Sequence, residues 1–328
     1  MGIETNFKFA HKHTANAVVP TDLLGPLRGL VDHHHKKKWT GTGFNMLWRP
    51  NHGGASGPQD FFLELNLTKE TLEFTDISGT GVANRGFDQS DIFLGALGYL
   101  QEISDVKGAQ HFEPGVWASA PATTNPTEPT TVVRMGSIPH GTTINLQGVG
   151  LQLAAGTGPK IDPTTITPFQ TVTGGVPNKD DGQTALVHFP EELNVQTAMP
   201  SRTSPADVKG LDDAHLDNPN LFLTDALSGQ TFLSTTVLLV TSEVKSTLAP
   251  PNSTPPAPDI GGGTDSIAFL VGGTPTPNAN PARITATFWI ERVRDSDGKE
   301  FDQLQYTQRV LLNFNGLSWP HVSVATLR

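Results

Sequence analysis

An all-β chain, folded as an antiparallel up-and-down β-barrel with long loop insertions, is what this sequence predicts. Three observations carry the prediction. Roughly a dozen stretches alternate apolar and polar residues, the period-two signature of a strand with one buried face. Long helices are disfavoured, because 33 glycines and 26 prolines among 328 residues leave few uninterrupted windows. The chain ends in three alternating stretches joined by tight turns, and closing such a meander on itself removes its exposed edges.

Taken in order, residues 1–38 form an N-terminal extension. Within it Thr21–Val31 has the makings of a short helix capped by Thr21 and broken at Gly25-Pro26. The run His33-His34-His35-Lys36-Lys37-Lys38 follows. Adjacent histidines point in different directions and no carboxylate sits at ligand spacing, so the run reads as a solvated loop. The barrel domain spans 39–328. Its first strand is Trp39–Trp48, with Gly41 and Gly43 marking close backbone approach or a bend. Asp60–Leu67 and Thr71–Ile77 are expected to form a hairpin turning at Thr68-Lys69-Glu70. Asp91–Ile103 is a further strand, and the Pro/Thr-rich run Ala120–Thr131 wraps the surface. Thr131–Ile138 and Thr142–Gly148 make a hairpin around Pro139-His140-Gly141, whose His140 reads as a solvated tip.

Residues 149–217 form a long insertion with one or two short strands, such as Thr184–Phe189. Leu221–Leu223 and Gln230–Val240 resume the sheet, and a second insertion at about 246–263 contains the flexible run Ala249–Gly263. Asp265–Val271 is a strand. The closing meander is Ala282–Val293, the turn Asp295-Ser296-Asp297-Gly298, Gln303–Phe314, the turn Asn315-Gly316, and the stretch from Trp319 to Arg328.

Composition narrows function. With no cysteine, the chain has no disulfide, thiolate nucleophile, iron–sulfur cluster or cysteine-ligated metal. A net charge of -10 argues against nucleic acid as a partner, which needs a clustered basic face. No 18-residue apolar run and no leader pattern are visible, so a soluble, cytoplasmic protein is expected, with no membrane partner. Hydrolase and nucleotide signatures are missing: there is no Gly-x-Ser-x-Gly elbow, and Gly148-x-Gly150 and Gly156-x-Gly158 lack a strand–turn–helix setting. Acid pairs such as Asp180-Asp181 lie in polar loops.

In the last strand His321, Ser323, Ala325 and Leu327 fall on one face, and Val322, Val324 and Thr326 on the other. That face presents one imidazole among small or apolar neighbours. It suits a ligand to a flat apolar cofactor, and it equally suits a structural histidine bonded to backbone.

Three motifs in order resemble the nitrobindin family of haem-binding β-barrels, relatives of the calycin, lipocalin-like and fatty-acid-binding proteins. They are Trp39-Thr40-Gly41-Thr42-Gly43, His111-Phe112-Glu113-Pro114-Gly115 and Pro320-His321. The likeness covers 39–77, 110–148 and 282–328. It implies haem b held through iron by His321, with His111 lining the other side of the cavity as hydrogen-bond or proton donor to a diatomic ligand or peroxide. Thr40, Thr42, Phe44 and Trp48 are then the candidates for the cavity wall. The implied reaction is that of ferric haem with nitric oxide or peroxynitrite, the latter isomerised to nitrate, or with peroxide. The alternative is a non-enzymatic carrier of an apolar small molecule such as a fatty acid, or a barrel filled by its own side chains.

Overall fold

Period-two alternation and β-branched or aromatic content organise the molecule into long strands. The computed structural model describes residues 22–52, 60–79, 81–125, 127–138, 141–178, 183–187, 207–243, 263–272 and 277–328. Among these, ten strands form a closed ring: β1 (Lys36–Pro50), β2 (Phe61–Asp76), β3 (Ile92–Asp105), β4 (Gly108–Ala120), β5 (Thr131–Ile138), β6 (Thr142–Gln152), β7 (Thr231–Thr241), β8 (Asn280–Arg294), β9 (Glu300–Phe314) and β10 (Leu317–Leu327). Each pairs antiparallel with the next in sequence, and β1 pairs with β10 to close the ring. Turns do what their residues dictate. Asn315 and Gly316 take φ of 49° and 73° between β9 and β10, and Gly298 takes 81° between β8 and β9.

The glycines of the first strand belong to the closure. A Cβ on Gly41 would lie 2.1 Å from the Thr326 carbonyl oxygen, and one on Gly43 would lie 2.6 Å from that of Val324. Only a residue without a side chain lets β1 approach β10 this closely.

Inward residues from every strand meet in one cluster, which includes Trp39, Phe74, Tyr99, Trp117, Phe288, Tyr306 and Leu327. One end of the ring is sealed by a 3₁₀ helix, Gly25–Leu30, whose Leu27 and Leu30 are fully buried in that cluster. The helix starts where the sequence suggested a break, because Pro26 suits the first helical positions, where its missing N–H costs nothing. Trp39 Nε1 donates to the Leu30 carbonyl at 3.1 Å, fixing the plug to β1.

A second apolar layer lies outside the ring. Phe44, Met46 and Trp48 of β1, Leu63 and Leu65 of β2, and Val322 and Val324 of β10 pack under Ile166, Val208, Leu216 and Leu223 of the first insertion. Those strands are therefore apolar on both faces. The insertion, which runs past the expected 217 as far as the start of β7 at Thr231, carries two short helices, α1 (Asp213–Asp217) and α2 (Leu221–Ala226), and short paired strands at Val172–Thr173 and Val176–Pro177.

Several expectations need correction. Residues 61–76 are one strand, not a hairpin, because Thr68 and Glu70 face inward and alternation runs through Lys69 unbroken. Leu221–Leu223 lies in α2, not in the sheet. Asp265–Val271 divides into the strand Gly263–Ser266 and a third short helix, Ala268–Val271. Pro114 is inside β4, just beyond the last β4–β5 pair at Gly115↔Gly136, where the strand has a neighbour on one side only. His140, Thr21, most of Thr184–Phe189's second half and most of Ala249–Gly263 lie outside the described residues.

Candidate functional site

The ring's two ends differ. At the plugged end, inward residues such as Leu27, Leu97 and Leu304 have no exposure. At the other end, His321, Gln308, Ile138 and His111 face inward yet keep partial exposure. This partly open end, the cup, is bordered by the start of β10, the end of β1, the start of β4 and the end of β5.

Strand register lays out one wall of the cup. Asn66, Asn45, Ser323 and Gln308 form a row across β2, β1, β10 and β9, and Glu64, Leu47, His321 and Val310 form the next row towards the rim. Ser323 Oγ lies 3.5 Å from His321 Nε2. Asn66 donates its amide to Glu64 at 2.9 Å, and Arg49 donates to the same carboxylate at 2.8 Å. The facing wall is apolar, with Ile138, Ile144 and Ile284 joined to the interior cluster, to which Val310 beside His321 also belongs.

The floor of the cup is a buried polar network. Arg134, fully buried, donates to Glu113 at 2.8 Å and to Gln308 at 2.7 Å. Its guanidinium also reaches Gln101 at 3.3 Å and the Tyr99 hydroxyl at 3.2 Å. Tyr99 donates to Glu113, Gln101 donates to Tyr306 at 3.1 Å, and Tyr306 donates to Glu70, whose other oxygen accepts from Thr68 at 2.7 Å. Paired glycines make room for this network. A Cβ on Gly115 would lie 2.6 Å from Tyr99, and one on Gly136 would lie 2.7 Å from Glu113 Oε1.

Charge in the network is set by burial and partners together. Burial works to raise the Glu113 carboxyl, but Arg134 and His111 outweigh it and bring the pKa down to about 2. Burial raises Glu70, and its bonds from Tyr306 and Thr68 only partly offset this. Tyr99 and Tyr306 are raised by burial and by their carboxylate neighbours, so both stay neutral donors.

The structure sorts the residues singled out from sequence. His321 lies on the inward face with Ser323, Ala325 and Leu327. His111 also faces inward, its Nε2 3.4 Å from Glu113 Oε2. Both sit at the cup end, and β10 and β4 stand on opposite sides of the ten-strand ring. Thr40, Thr42, Phe44 and Trp48 are not part of the cup. Gly41 and Gly43 take the inward phase of β1, so these four point outward. Phe44 meets Phe222 at 4.8 Å between ring centres, and Trp48 donates to the Ile166 carbonyl at 2.8 Å. Thr40 and Thr42 border a separate cleft of about 830 Å³ that crosses β1 to β4 and is lined also by Glu70, Ile103, His111 and Phe112. The Glu70–Gln101–Glu113–Arg134 network escaped the sequence reading. Its signal was the i, i+2 spacing His111-x-Glu113-x-Gly115, which puts all three on one face.

The exposed His35 pairs with Asp76 at 2.9 Å. Among the described residues no three His, Asp or Glu side chains converge as a metal site. Among the described residues no helix is long and apolar enough to cross a membrane.

No protein-family model and no curated protein matches the chain. Among solved structures, the crystal structure of Rv2717c from M. tuberculosis aligns with 94% of this chain and 99% of its own, at 12% identity and a TM-score of 0.34. A likeness that distant carries no argument about this chain.

Proposed function

We propose that the protein binds haem in the cup, with His321 as the iron ligand and His111 on the facing wall. One observation carries the reading. Two inward imidazoles stand at the same end of the ring, on strands from its opposite sides, over an apolar wall. The donor set fits the group: a half-buried imidazole beside a hydroxyl, with Ile284 and Val310 to pack a flat macrocycle. When bound, ferric haem supplies an open coordination position for nitric oxide, peroxynitrite or peroxide. The chain's own residues set the rest. Ser323 orients the His321 ring. Glu113 orients His111, and Arg134 holds Glu113 ionised, so His111 keeps a fixed carboxylate partner.

The test is an absorption titration of the purified protein with hemin, beside His321→Ala. A saturable Soret band near one equivalent is expected, with uptake weakened at least tenfold or the band shifted in the variant. No saturable uptake, or an identical spectrum in the variant, would overturn the proposal. A second reading, a non-enzymatic carrier of an apolar molecule, is favoured by the apolar wall Ile138–Ile144–Ile284 facing the polar row.

A further inference from the structure

The polar row of the cup contains two groups the haem reading leaves unused. Asn45 and Asn66 are directly opposed in the β1–β2 ladder, and both face inward, 8% and 2% exposed. Neither side-chain oxygen has a hydrogen-bond partner among the described residues. The orientation of Asn66 is fixed, because its nitrogen is committed to Glu64, which Arg49 holds from the other side. Its free end is therefore an acceptor. Across the same row Asn45 is paired with Ser323. A buried acceptor left without a donor is costly, and two side by side on one wall call for a donor from outside the chain, a water or the polar group of a ligand that replaces it.

The chemistry of that donor is restricted. A carboxylate offers only acceptors and would face two amide oxygens with the Glu64 carboxylate beside them, so a fatty-acid head is disfavoured. An ether offers no proton. An alcohol or phenol supplies the missing O–H, and its apolar body meets Ile138, Ile144 and Ile284 on the facing wall. We propose that the cup is a binding site for a neutral apolar molecule bearing a hydroxyl group, held with that hydroxyl against Asn45 and Asn66. This rests on the carrier reading and narrows it to a ligand class; it does not require haem.

The experiment uses haem-free, full-length protein and three probes of matched length: 1-octanol, octyl methyl ether and octanoate, titrated by calorimetry and by side-chain amide NMR. Octanol is expected to bind at least tenfold tighter than the other two and to shift the Asn45 and Asn66 amide signals. In Asn45→Leu/Asn66→Leu its affinity should fall to that of the ether. Binding of the probes without preference overturns the proposal and leaves the carrier reading standing. No binding of any probe overturns both. Should the double variant not fold, the wild-type comparison of octanol with its ether decides alone. A preference that survives in a folded double variant assigns the hydroxyl elsewhere and also overturns the proposal.

Discussion

Glu113 and Arg134 show how much depends on single side chains inside the ring. Each is buried to within 1% of completely, and each is tolerable there only because of the other. Glu113→Gln leaves the guanidinium without its counter-charge. It should lower stability by about 3–5 kcal/mol in a urea titration, the range for breaking a buried pair from one side. Replacing both, with Glu113→Gln and Arg134→Met, should cost less than the single change, since no unpaired charge remains. The sign with pH follows from the folded pKa of about 2, well below the ordinary 4.5. The pair's contribution is present above the unfolded value and drains away as pH falls towards 2. Gly43 is a second sensitive position. A Cβ there would lie 2.3 Å from Glu70 Oε1 and 2.6 Å from the Val324 carbonyl oxygen, which is backbone that cannot retreat, so Gly43→Ala should cost about 1–3 kcal/mol. Glycine at 41 and 43 was legible as close approach. The buried charges were not, because Thr68-Lys69-Glu70 is as polar as a turn, and only the partners inside the ring show that its ends face inward.

At the scale of elements, strands were easier to read than what covers them. Alternation located the final meander and the hairpin around residue 140, since those strands have one face in the ring and obvious turn residues. The helices of the first insertion were missed, α2 in particular. Leu221 to Ala226 is six residues long, too short for a helical period to separate it from a strand. That insertion is held to the ring by a clasp. His215 donates to Asp212 at 2.7 Å and to Asp225 at 3.1 Å, and its ring lies 4.5 Å from Phe222, which packs on Phe44. Burial alone would lower His215, but the two carboxylates prevail and raise it above 6.5. A raised cation stabilises the fold below its unfolded pKa and stops doing so as pH rises through the folded one. Hydrogen exchange of residues 213–226, corrected for intrinsic rates, should therefore report easier opening at about pH 8 than at about pH 5.5. Asp225→Asn should shrink the difference. The plug makes a simpler prediction: Leu27→Ala empties the sealed end and should cost about 2–5 kcal/mol by denaturant melting.

For the molecule as a whole, the buried acids decide the pH at which the barrel is most stable. Glu291 lies outside the ring beneath the residues that follow α2. Burial raises it to about 7, offset only in part by a 2.9 Å bond from Gln303, which also bonds Gln230. One of its oxygens has no partner among the described residues. A carboxyl whose folded pKa exceeds its unfolded 4.5 favours the fold fully below that value and progressively less as pH climbs through 7. The gap corresponds to about 3 kcal/mol at alkaline pH, less whatever solvent reaches the site. Glu70 is raised by burial in the same sense, and the His215 clasp adds to it. Glu113 acts oppositely, on the acid side alone. Stability measured by chemical denaturation should therefore peak in mildly acidic solution and decline between about pH 5 and pH 8. Glu291→Gln, which keeps the shape and removes the titration, should flatten most of that decline. A wild-type profile already flat over this range would show that Glu291 ionises in the folded chain at no cost, and that its surroundings are wetter than the packing of the outer layer implies.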